Sequence, residues 1–324
     1  MHVGFIGLGN VGGKLSGSLL RNGTKLSVHD LNKSLVTEFV SRGAIDGQNP
    51  RNIMQTCDVT ITCLPSPSAS NEVMQQMLQF ITPKKVWMEM STTDEAEVKR
   101  LGALVKEKGG SAVDCPVSGG CHRADTGNIS IFAGCERETF EYILPLLTKM
   151  GRRVLHTGEL GSASVLKVIT NYLATANLVS CAEALTVAKG AGMDLQIAYK
   201  AFSISSGNSF VNETESQVIL NGSRDISFTM DLVAKDIGLF QAVADRAQIP
   251  LELNPLLISI FQDGIKRYGP RELSPNIIKR LEETTGLDIR APGFPAEMVD
   301  DEPEETGYEA VSYTHLTLPT ICSV

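Results

Sequence analysis

The sequence of 324 residues lacks the features that mark nucleic-acid-binding, membrane and secreted proteins. It has no run rich in lysine and arginine, and its net charge is −8, so we expect no nucleic-acid partner. No run of about 18 apolar residues occurs, so no membrane-spanning helix is predicted. No basic segment followed by an apolar one precedes the first predicted strand, so we expect no secretory signal.

Cysteine and histidine are too scattered to indicate disulfides or a metal site. The seven cysteines are odd in number and include no C-x-x-C pair. Because a chain of this length needs no disulfides to stabilise it, we interpret them as reduced thiols of a cytoplasmic protein. The five histidines show no metal-ligand spacing, so no metal is expected.

Apolar residues are abundant enough for a large core. They make up 42% of the sequence, against 20% charged residues, and the length favours about two domains. The negative charge is concentrated in residues 300–309, which carry six carboxylates and no base. Because one local run supplies most of the charge, the overall acidity says nothing about the fold.

Residues 1–160 alternate short apolar runs with amphipathic stretches. Strand patterns cover residues 2–6, 25–29, 59–64, 86–90, 111–114 and 129–133, and helical patterns cover residues 11–21, 33–42, 72–80 and 94–108. Strands that alternate with helices of this length imply crossover connections. The sequence therefore predicts an α/β domain with a parallel sheet at residues 1–160.

The pattern changes at residue 161. No proline or glycine lies between Gly161 and Gly190, which predicts one helix of roughly 40 Å at 1.5 Å per residue. Further helical patterns cover residues 194–203, 208–221, 228–247, 252–268 and 274–286, and no strand pattern follows residue 157. We predict an all-helical domain at residues 161–295, joined to the first domain by the long helix.

Residues 296–324 have the composition of a disordered tail. The acidic run has no basic run to pair with and too little apolar surface to offset the backbone entropy of ordering. We expect truncation after Ala296 to leave activity and melting temperature unchanged. The alternative is an arm that closes over the active site of a neighbouring subunit. Residues 311–324 follow no pattern of the preceding sequence and are interpreted as a non-native extension.

A glycine-rich turn follows the first strand. It has the pattern G-x-G-x-x-G and consists of Gly7, Leu8, Gly9, Asn10, Val11 and Gly12. A turn of this kind between a strand and a helix binds a pyrophosphate through backbone N–H groups at the helix N-terminus. Asp30 ends the second strand, where a carboxylate accepts hydrogen bonds from ribose hydroxyls and repels a 2′-phosphate. The alternative is a glycine turn that binds nothing.

Two further loops follow strands of the same sheet. Leu64 and Pro65 lie at the carboxyl end of the third predicted strand, and the segment from Ser91 to Asp94, which includes Thr92, comes after the fourth. Ligands of open parallel sheets bind beyond the carboxyl ends of the strands, so both loops are candidates for cofactor binding. Ser91 and Thr92 can equally serve as a plain helix cap.

A second glycine turn suits a small anion. It contains Ser118, Gly119 and Gly120, in the segment that begins at Asp114. Glycines leave backbone N–H groups uncovered, and such groups can bind a carboxylate. An ordinary turn is the alternative.

The long helix carries one polar stripe, formed by Ser164, Lys167, Asn171 and Thr175. Apolar residues flank Lys167, so we expect partial burial to lower its pKa toward neutrality, which suits proton transfer. The alternative is a lysine that extends its ammonium into water. Lys235 and Asp236 form an adjacent charged pair on a later helix, for which a surface ion pair is the alternative.

Over residues 1 to about 290 the sequence resembles the β-hydroxyacid dehydrogenase family. The resemblance rests on four motifs in this order: Gly7 to Gly12, Asp114 to Gly120, Gly158 to Asn171, and Lys235 with Asp236. The resemblance implies a Rossmann domain followed by an all-α domain. It also implies that Lys167 is the catalytic acid/base, that Ser118, Gly119 and Gly120 hold the substrate carboxylate, and that Asn171 positions the substrate. The resemblance further implies that Lys235 lies by the cofactor with Asp236 beside it in the substrate site, and that Leu64, Pro65 and Thr92 line the nicotinamide dinucleotide.

The family implies hydride transfer between a nicotinamide cofactor and a small 3-hydroxy acid or its semialdehyde. Asp30 and the lack of a nearby arginine favour NAD, while Lys33 leaves NADP open. Reduction of tartronate semialdehyde, succinic semialdehyde or glyoxylate is the closest alternative. A non-catalytic dinucleotide-binding module and an imine reductase are disfavoured, because both lack the lysine found here at Lys167. The apolar helical half predicts a homodimer or homotetramer.

Overall fold

A ten-stranded sheet forms the centre of the N-terminal half of the computed structural model, which describes residues 1–311. The strands are β1 (His2–Ile6), β2 (Lys25–His29), β3 (Ile45–Asp46), β4 (Val59–Thr62), β5 (Val86–Glu89), β6 (Ser111–Asp114), β7 (Val117–Ser118), β8 (Ser130–Gly134), β9 (Arg153–Gly158) and β10 (Tyr308–Glu309). Their order is β10-β9-β8-β6-β5-β4-β1-β2-β3, with β7 paired to β8. The pairings among strands β1 to β6 are parallel, and the pairings of β8 with β6 and with β7 are antiparallel.

Helices cover both faces of this sheet. They are α1 (Asn10–Arg21), α2 (Lys33–Ser41), α3 (Pro50–Thr56), α4 (Pro67–Met77) with a 3₁₀ turn at Leu78–Phe80, α5 (Glu95–Glu107), α6 (Gly120–Thr126) and α7 (Arg137–Leu147). The sequence patterns find α1, α2 and α5. They place α4 five residues late, because Ser66 caps that helix and Pro67 occupies its first turn.

The parallel sheet changes direction of growth between β1 and β4. From β1 the chain adds β2 and β3 on one side, then returns to add β4, β5 and β6 on the other. Two apolar cores pack on opposite faces, one around Phe5 and Phe140 and one around Trp87 and Met74. This is a Rossmann fold, and its topology leaves a crevice at the carboxyl ends of β1 and β4.

The C-terminal half is helical and has its own apolar core, around Leu185, Ile237 and Phe261. Its elements are α8 (Ser162–Gly190), α9 (Leu195–Ser203), α10 (Phe210–Asn221), α11 (Met230–Arg246), α12 (Leu253–Tyr268), a 3₁₀ turn at Ser274–Ile278 and α13 (Lys279–Thr285). Helix α8 has 29 residues and follows β9 after three residues. Within residues 1–311 it is the one helix long and apolar enough to cross a membrane, a test that core helices also pass.

The chain after residue 290 corrects two sequence predictions, because residues 296–311 are not an unstructured tail and a strand does follow residue 157. Residues 291–296 lie against α9 and α10. The segment from Met298 to Glu309, which we call the C-terminal strap, then lies on the Rossmann domain and adds β10 to β9 in parallel. Its acidic residues pair with arginines that are scattered along residues 21–153, so no basic run in the sequence reveals them. Residues 312–324, and with them most of the predicted non-native extension, lie outside the described residues.

Candidate active site

The glycine-rich turn connects β1 to α1 at the crevice. Gly7 has φ +99°, and a Cβ there would lie 2.2 Å from the Cys63 carbonyl oxygen. A Cβ at Gly12 would lie 2.1 Å from the carbonyl oxygen of Gly7, so both positions require glycine. A Cβ at Gly9 would meet no other atom of the described chain within 4 Å, which leaves open space above the helix N-terminus.

The start of α1 has the donors that a pyrophosphate needs. Gly9 is the cap residue, and among residues 1–311 no side chain caps this helix. The N–H groups of Asn10 and Val11, in the first turn, therefore point into the open space beside Gly9. The turn fits a dinucleotide phosphate.

Asp30 follows β2 and contacts the same turn. Its carboxylate accepts hydrogen bonds from the backbone N–H groups of Leu8 and Asn32, each over 2.7 Å. The side chain is half-buried beside the turn, where the ribose of a dinucleotide lies in Rossmann domains. Lys33 directs its amine to the Asp30 carbonyl oxygen over 3.4 Å.

The loops after β4 and β5 are joined by one hydroxyl. Ser91 accepts the backbone N–H of Leu64 over 2.7 Å, which fixes the start of the Leu64-Pro65 loop. The Ser91 hydroxyl and N–H both donate to Glu89, a fully buried carboxyl at the end of β5. Burial raises the pKa of Glu89, and the hydrogen bonds from Ser91 offset only part of this shift. This role of Glu89 is not among the sequence predictions, although a carboxyl inside an apolar strand is a visible signal.

A lysine of the helical domain contacts the loop after β5. Lys235, on α11, donates to the carbonyl oxygen of Thr92 over 2.8 Å. The same amine lies 3.2 Å from the carboxylate of Asp236, whose side chain is only 2% exposed. Lys235 therefore links the two domains at the crevice.

Lys167 lies in the second turn of α8 and is 8% exposed. Its amine donates to the amide oxygen of Asn171 over 2.8 Å, and the Asn171 amide donates to Asp236. Burial lowers the pKa of Lys167 to about 8, with Asp236 opposing the shift and Lys235 adding to it. The burial agrees with the sequence prediction, and a lysine with this pKa can both donate and accept a proton near neutral pH.

The turn with Ser118, Gly119 and Gly120 leads into α6. Gly119 has φ +130° and Gly120 has φ +86°, so glycine is required at both. In the described part of the chain no side chain caps α6, which leaves its first N–H groups free for an anion.

Groups from several strand-end loops and from α11 lie near Cys63, which follows β4. Burial raises the pKa of the Cys63 thiol to about 12, the nearby Glu89 carboxyl and Cys121 thiol add to the shift, and Lys235 opposes it. Groups on β5, α6 and α11 therefore all lie near the end of β4. The turn of Ser118 to Gly120, the loops after β4 and β5, and Lys235 of the helical domain therefore lie around one cleft.

Comparison with known proteins identifies both halves of the chain. Residues 2–158 match the family model of the NAD-binding domain of 6-phosphogluconate dehydrogenase. Residues 161–281 match the family model of the NAD-binding domain of NADP-dependent 3-hydroxyisobutyrate dehydrogenase. The boundary between the two matches falls between β9 and α8.

Individual relatives cover nearly the same range. The chain is 30% identical to 2-(hydroxymethyl)glutarate dehydrogenase of Eubacterium barkeri over 293 residues, which is 89% of this chain and 97% of the relative. It is 30% identical to the NAD-dependent L-serine dehydrogenase of Pseudomonas aeruginosa over 88% of this chain and 98% of the relative.

The fold is shared with the solved structure of Mycobacterium tuberculosis 3-hydroxyisobutyrate dehydrogenase with L-serine. The TM-score is 0.79 and the identity 22%, over 87% of this chain and 99% of that chain. The chain belongs to the β-hydroxyacid dehydrogenase family and is an NAD(P)-dependent oxidoreductase.

Proposed function

We propose that the protein oxidises a small 3-hydroxy acid with Lys167 as the acid/base. The observation that carries this proposal is the buried chain of hydrogen bonds from Lys167 through Asn171 to Asp236, beside the lysine that contacts the cofactor loop. A buried amine with a pKa of about 8 is neutral in a large fraction of molecules near that pH. It can therefore accept the proton of a substrate hydroxyl.

Each group of site residues has a separate role in the proposed reaction. The nicotinamide, when bound, supplies the hydride acceptor on oxidation and the hydride donor on reduction. Lys167 takes the hydroxyl proton on oxidation and returns it on reduction, and Asn171 holds the lysine amine in place. Ser118, Gly119 and Gly120 bind the substrate carboxylate through free N–H groups. Leu64, Pro65 and Thr92 line the dinucleotide, and Lys235 fixes the Thr92 carbonyl.

The names of the relatives support the substrate class. L-serine and 2-(hydroxymethyl)glutarate both carry a hydroxymethyl group on the carbon next to a carboxylate. The two substrates differ in the other group on that carbon. We propose that this chain recognises the shared part, a hydroxymethyl carboxylate, and that its helical domain selects the variable group.

A substrate panel tests the reaction. It contains 3-hydroxyisobutyrate, L-serine, D-glycerate, 2-(hydroxymethyl)glutarate and threonate for oxidation, and tartronate semialdehyde, succinic semialdehyde and glyoxylate for reduction. 4-Hydroxybutyrate, whose hydroxyl is one carbon further from the carboxylate, is the matched control. Turnover of at least one 3-hydroxy acid above 4-hydroxybutyrate is expected. Turnover of 4-hydroxybutyrate or of glyoxylate alone contradicts the proposed class.

We propose NAD as the preferred cofactor. The Asp30 carboxylate lies at the turn where the adenosine ribose of a Rossmann domain binds, and its charge repels a 2′-phosphate. kcat/KM is measured with both cofactors on the same substrate. A preference for NADP of about tenfold or more, equal to roughly 1.4 kcal/mol, contradicts this role of Asp30.

We propose that the protein assembles as a homodimer or homotetramer. Helix α8 is the longest described helix, yet only 28% of its most apolar stretch of 18 residues is buried in the chain. Leu173 and Val187 of this helix are exposed. Ile197 and Ile204 of the next helix region are exposed as well. Exposed apolar surface of this kind marks an interface. Light scattering that finds only a 34.9 kDa species contradicts the proposal.

A further inference from the structure

The C-terminal strap and the residues just before it connect the two domains. Before it, the carbonyl oxygens of Phe294 and Ala296 accept hydrogen bonds from Asn221 over 2.8 Å and from Ser223 over 2.6 Å, at the end of α10. At its other end the backbone N–H of Tyr308 donates to the carbonyl oxygen of Arg152 over 2.9 Å. The strap is therefore held at its beginning by the preceding residues, which bind the helical domain, and at its end by the Rossmann sheet.

Between these anchors, Asp300 contacts α6. This helix follows the turn of Ser118, Gly119 and Gly120, which we call the substrate turn. Its side chain is 2% exposed. The carboxylate accepts a hydrogen bond from Asn128 over 2.7 Å and one from the hydroxyl of Thr126, the last residue of α6. Burial opposes the charge, but the hydrogen bonds from Thr126 and Asn128 and the nearby Arg123 hold the pKa of Asp300 below its usual range. A charged carboxylate is thus fixed against the end of α6.

The strap also lies near the beginning and the end of the same helix. A Cβ at Gly120, the first residue of α6, would lie 3.8 Å from the terminal methyl of Met298. A Cβ at Gly127, which ends α6 with φ +81°, would lie 3.4 Å from the Glu304 carboxylate. A helix of seven residues is unstable by itself, so its position depends on these contacts and on its packing against α1.

Arg123 extends the contact across the cleft. Its guanidinium lies 3.0 Å from Glu302 and 3.9 Å from Asp300 of the strap. The same group lies over the ring of Phe210 in α10, 4.9 Å from the ring centroid. Two strap carboxylates therefore hold an α6 side chain against the helical domain.

We propose that the C-terminal strap positions the substrate turn, and that Asp300 is its principal positioning residue. By holding the C-terminal end of α6 and Arg123, the strap sets where the N–H groups of Gly119 and Gly120 point. This inference rests on the proposed role of that turn in binding the substrate carboxylate. It replaces the sequence expectation that residues beyond Ala296 make no contribution to activity. Both family matches end before the strap, at residues 158 and 281.

The test compares Asp300→Ala and Asp300→Asn with Glu309→Gln in the full chain. Glu309 pairs with Arg137 at the far end of the strap, over 2.6 Å, and is the matched control. For Asp300→Ala we expect KM for the hydroxy acid to rise about tenfold or more, because small displacements of a binding group have large kinetic effects. kcat and the Kd of the cofactor should change less than about threefold. Asp300→Asn, which keeps an acceptor oxygen, should recover part of the KM.

Hydrogen exchange gives a second readout that needs no substrate. Amides of residues 117–127 should exchange about tenfold faster in Asp300→Ala than in wild type or Glu309→Gln. Unchanged exchange overturns the proposal, whatever the protein turns over. Faster exchange with an unchanged KM shows that the strap stabilises α6 without positioning the substrate, which also overturns it. If the wild-type protein oxidises no 3-hydroxy acid, the proposed function is wrong. The exchange measurement then still tests whether the strap fixes α6.

Discussion

The carboxylate of Asp114 accepts the backbone N–H of Ser164 over 2.7 Å, across a separation of 50 residues. The N–H of Gly161 donates to the other carboxylate oxygen over 2.9 Å, so Asp114 caps α8. Asp114 ends the strand that leads to the substrate turn, and α8 carries Lys167 in its second turn. One buried carboxylate thus fixes the substrate turn relative to the proposed acid/base.

Asp114→Ala should lower both stability and turnover. Loss of a buried cap leaves the N–H groups of Gly161 and Ser164 unpaired, which costs about 1–3 kcal/mol of unfolding free energy. kcat should fall about tenfold or more, because the start of α8 is released. Asp194→Ala is the matched control, since Asp194 caps α9 in the helical domain. It should lose about 1 kcal/mol with kcat unchanged. Equal kinetic effects of the two variants contradict the link between Asp114 and the active site.

Lys167→Ala should remove most turnover while the cofactor still binds. A general acid/base contributes about 10²- to 10⁴-fold to the rate, and the lysine amine lies beside Asn171 rather than in the phosphate turn. Lys189→Ala, in the last turn of the same helix, is the control. The measurements are kcat and a cofactor-binding titration. If the Lys167→Ala enzyme keeps a kcat near that of wild type, the lysine is not the acid/base of the reaction.

The pH dependence of oxidation should report the pKa of Lys167. The amine must be neutral to accept the hydroxyl proton, so kcat/KM for oxidation should rise with pH through an inflection near the value of about 8. In the reduction direction the protonated amine is needed, so kcat/KM should fall through the same inflection.

Two neighbouring substitutions should move that inflection in opposite directions. Asp236 stabilises the charged amine and Lys235 destabilises it. Asp236→Asn should therefore shift the inflection to lower pH, and Lys235→Gln should shift it to higher pH. Shifts of the same sign in both variants contradict Lys167 as the titrating group.

The sequence predicts those parts of the fold that depend on long, local patterns. Helices α8 to α12 are long apolar patterns bounded by glycine and proline, and their predicted bounds lie within a few residues of the observed ones. Helix α7 was missed because Pro145 lies inside it, and α3 and α6 because seven residues carry too little periodicity. The cofactor loops could be located because a parallel sheet brings the carboxyl ends of its strands to one edge.

Contacts between distant residues could not be predicted. The sequence shows Asp114 before a proline, but not that the N–H groups of α8 meet its carboxylate. The acidic strap appeared unpaired because its arginine partners are separated from it by 149 to 283 positions. Glu89 is a different case, since a carboxyl in an apolar strand is visible but its partner Ser91 becomes evident only from the geometry of the strand end.

Two glycines of the phosphate turn should separate folding from cofactor binding. A methyl group at Gly12 would lie 2.1 Å from the Gly7 carbonyl oxygen, so Gly12→Ala must displace α1 from β1. Overpacking of this kind costs about 1–3 kcal/mol, which thermal unfolding will detect. Gly9 has φ −65°, which alanine adopts without strain, and its Cβ would point into open space. Gly9→Ala should therefore leave the melting temperature unchanged and weaken the cofactor Kd about tenfold or more, because the added methyl occupies the position of the pyrophosphate. Titration of each variant with NAD, beside its melting curve, distinguishes the two effects. If Gly9→Ala binds NAD as wild type does, the pyrophosphate does not lie over this turn.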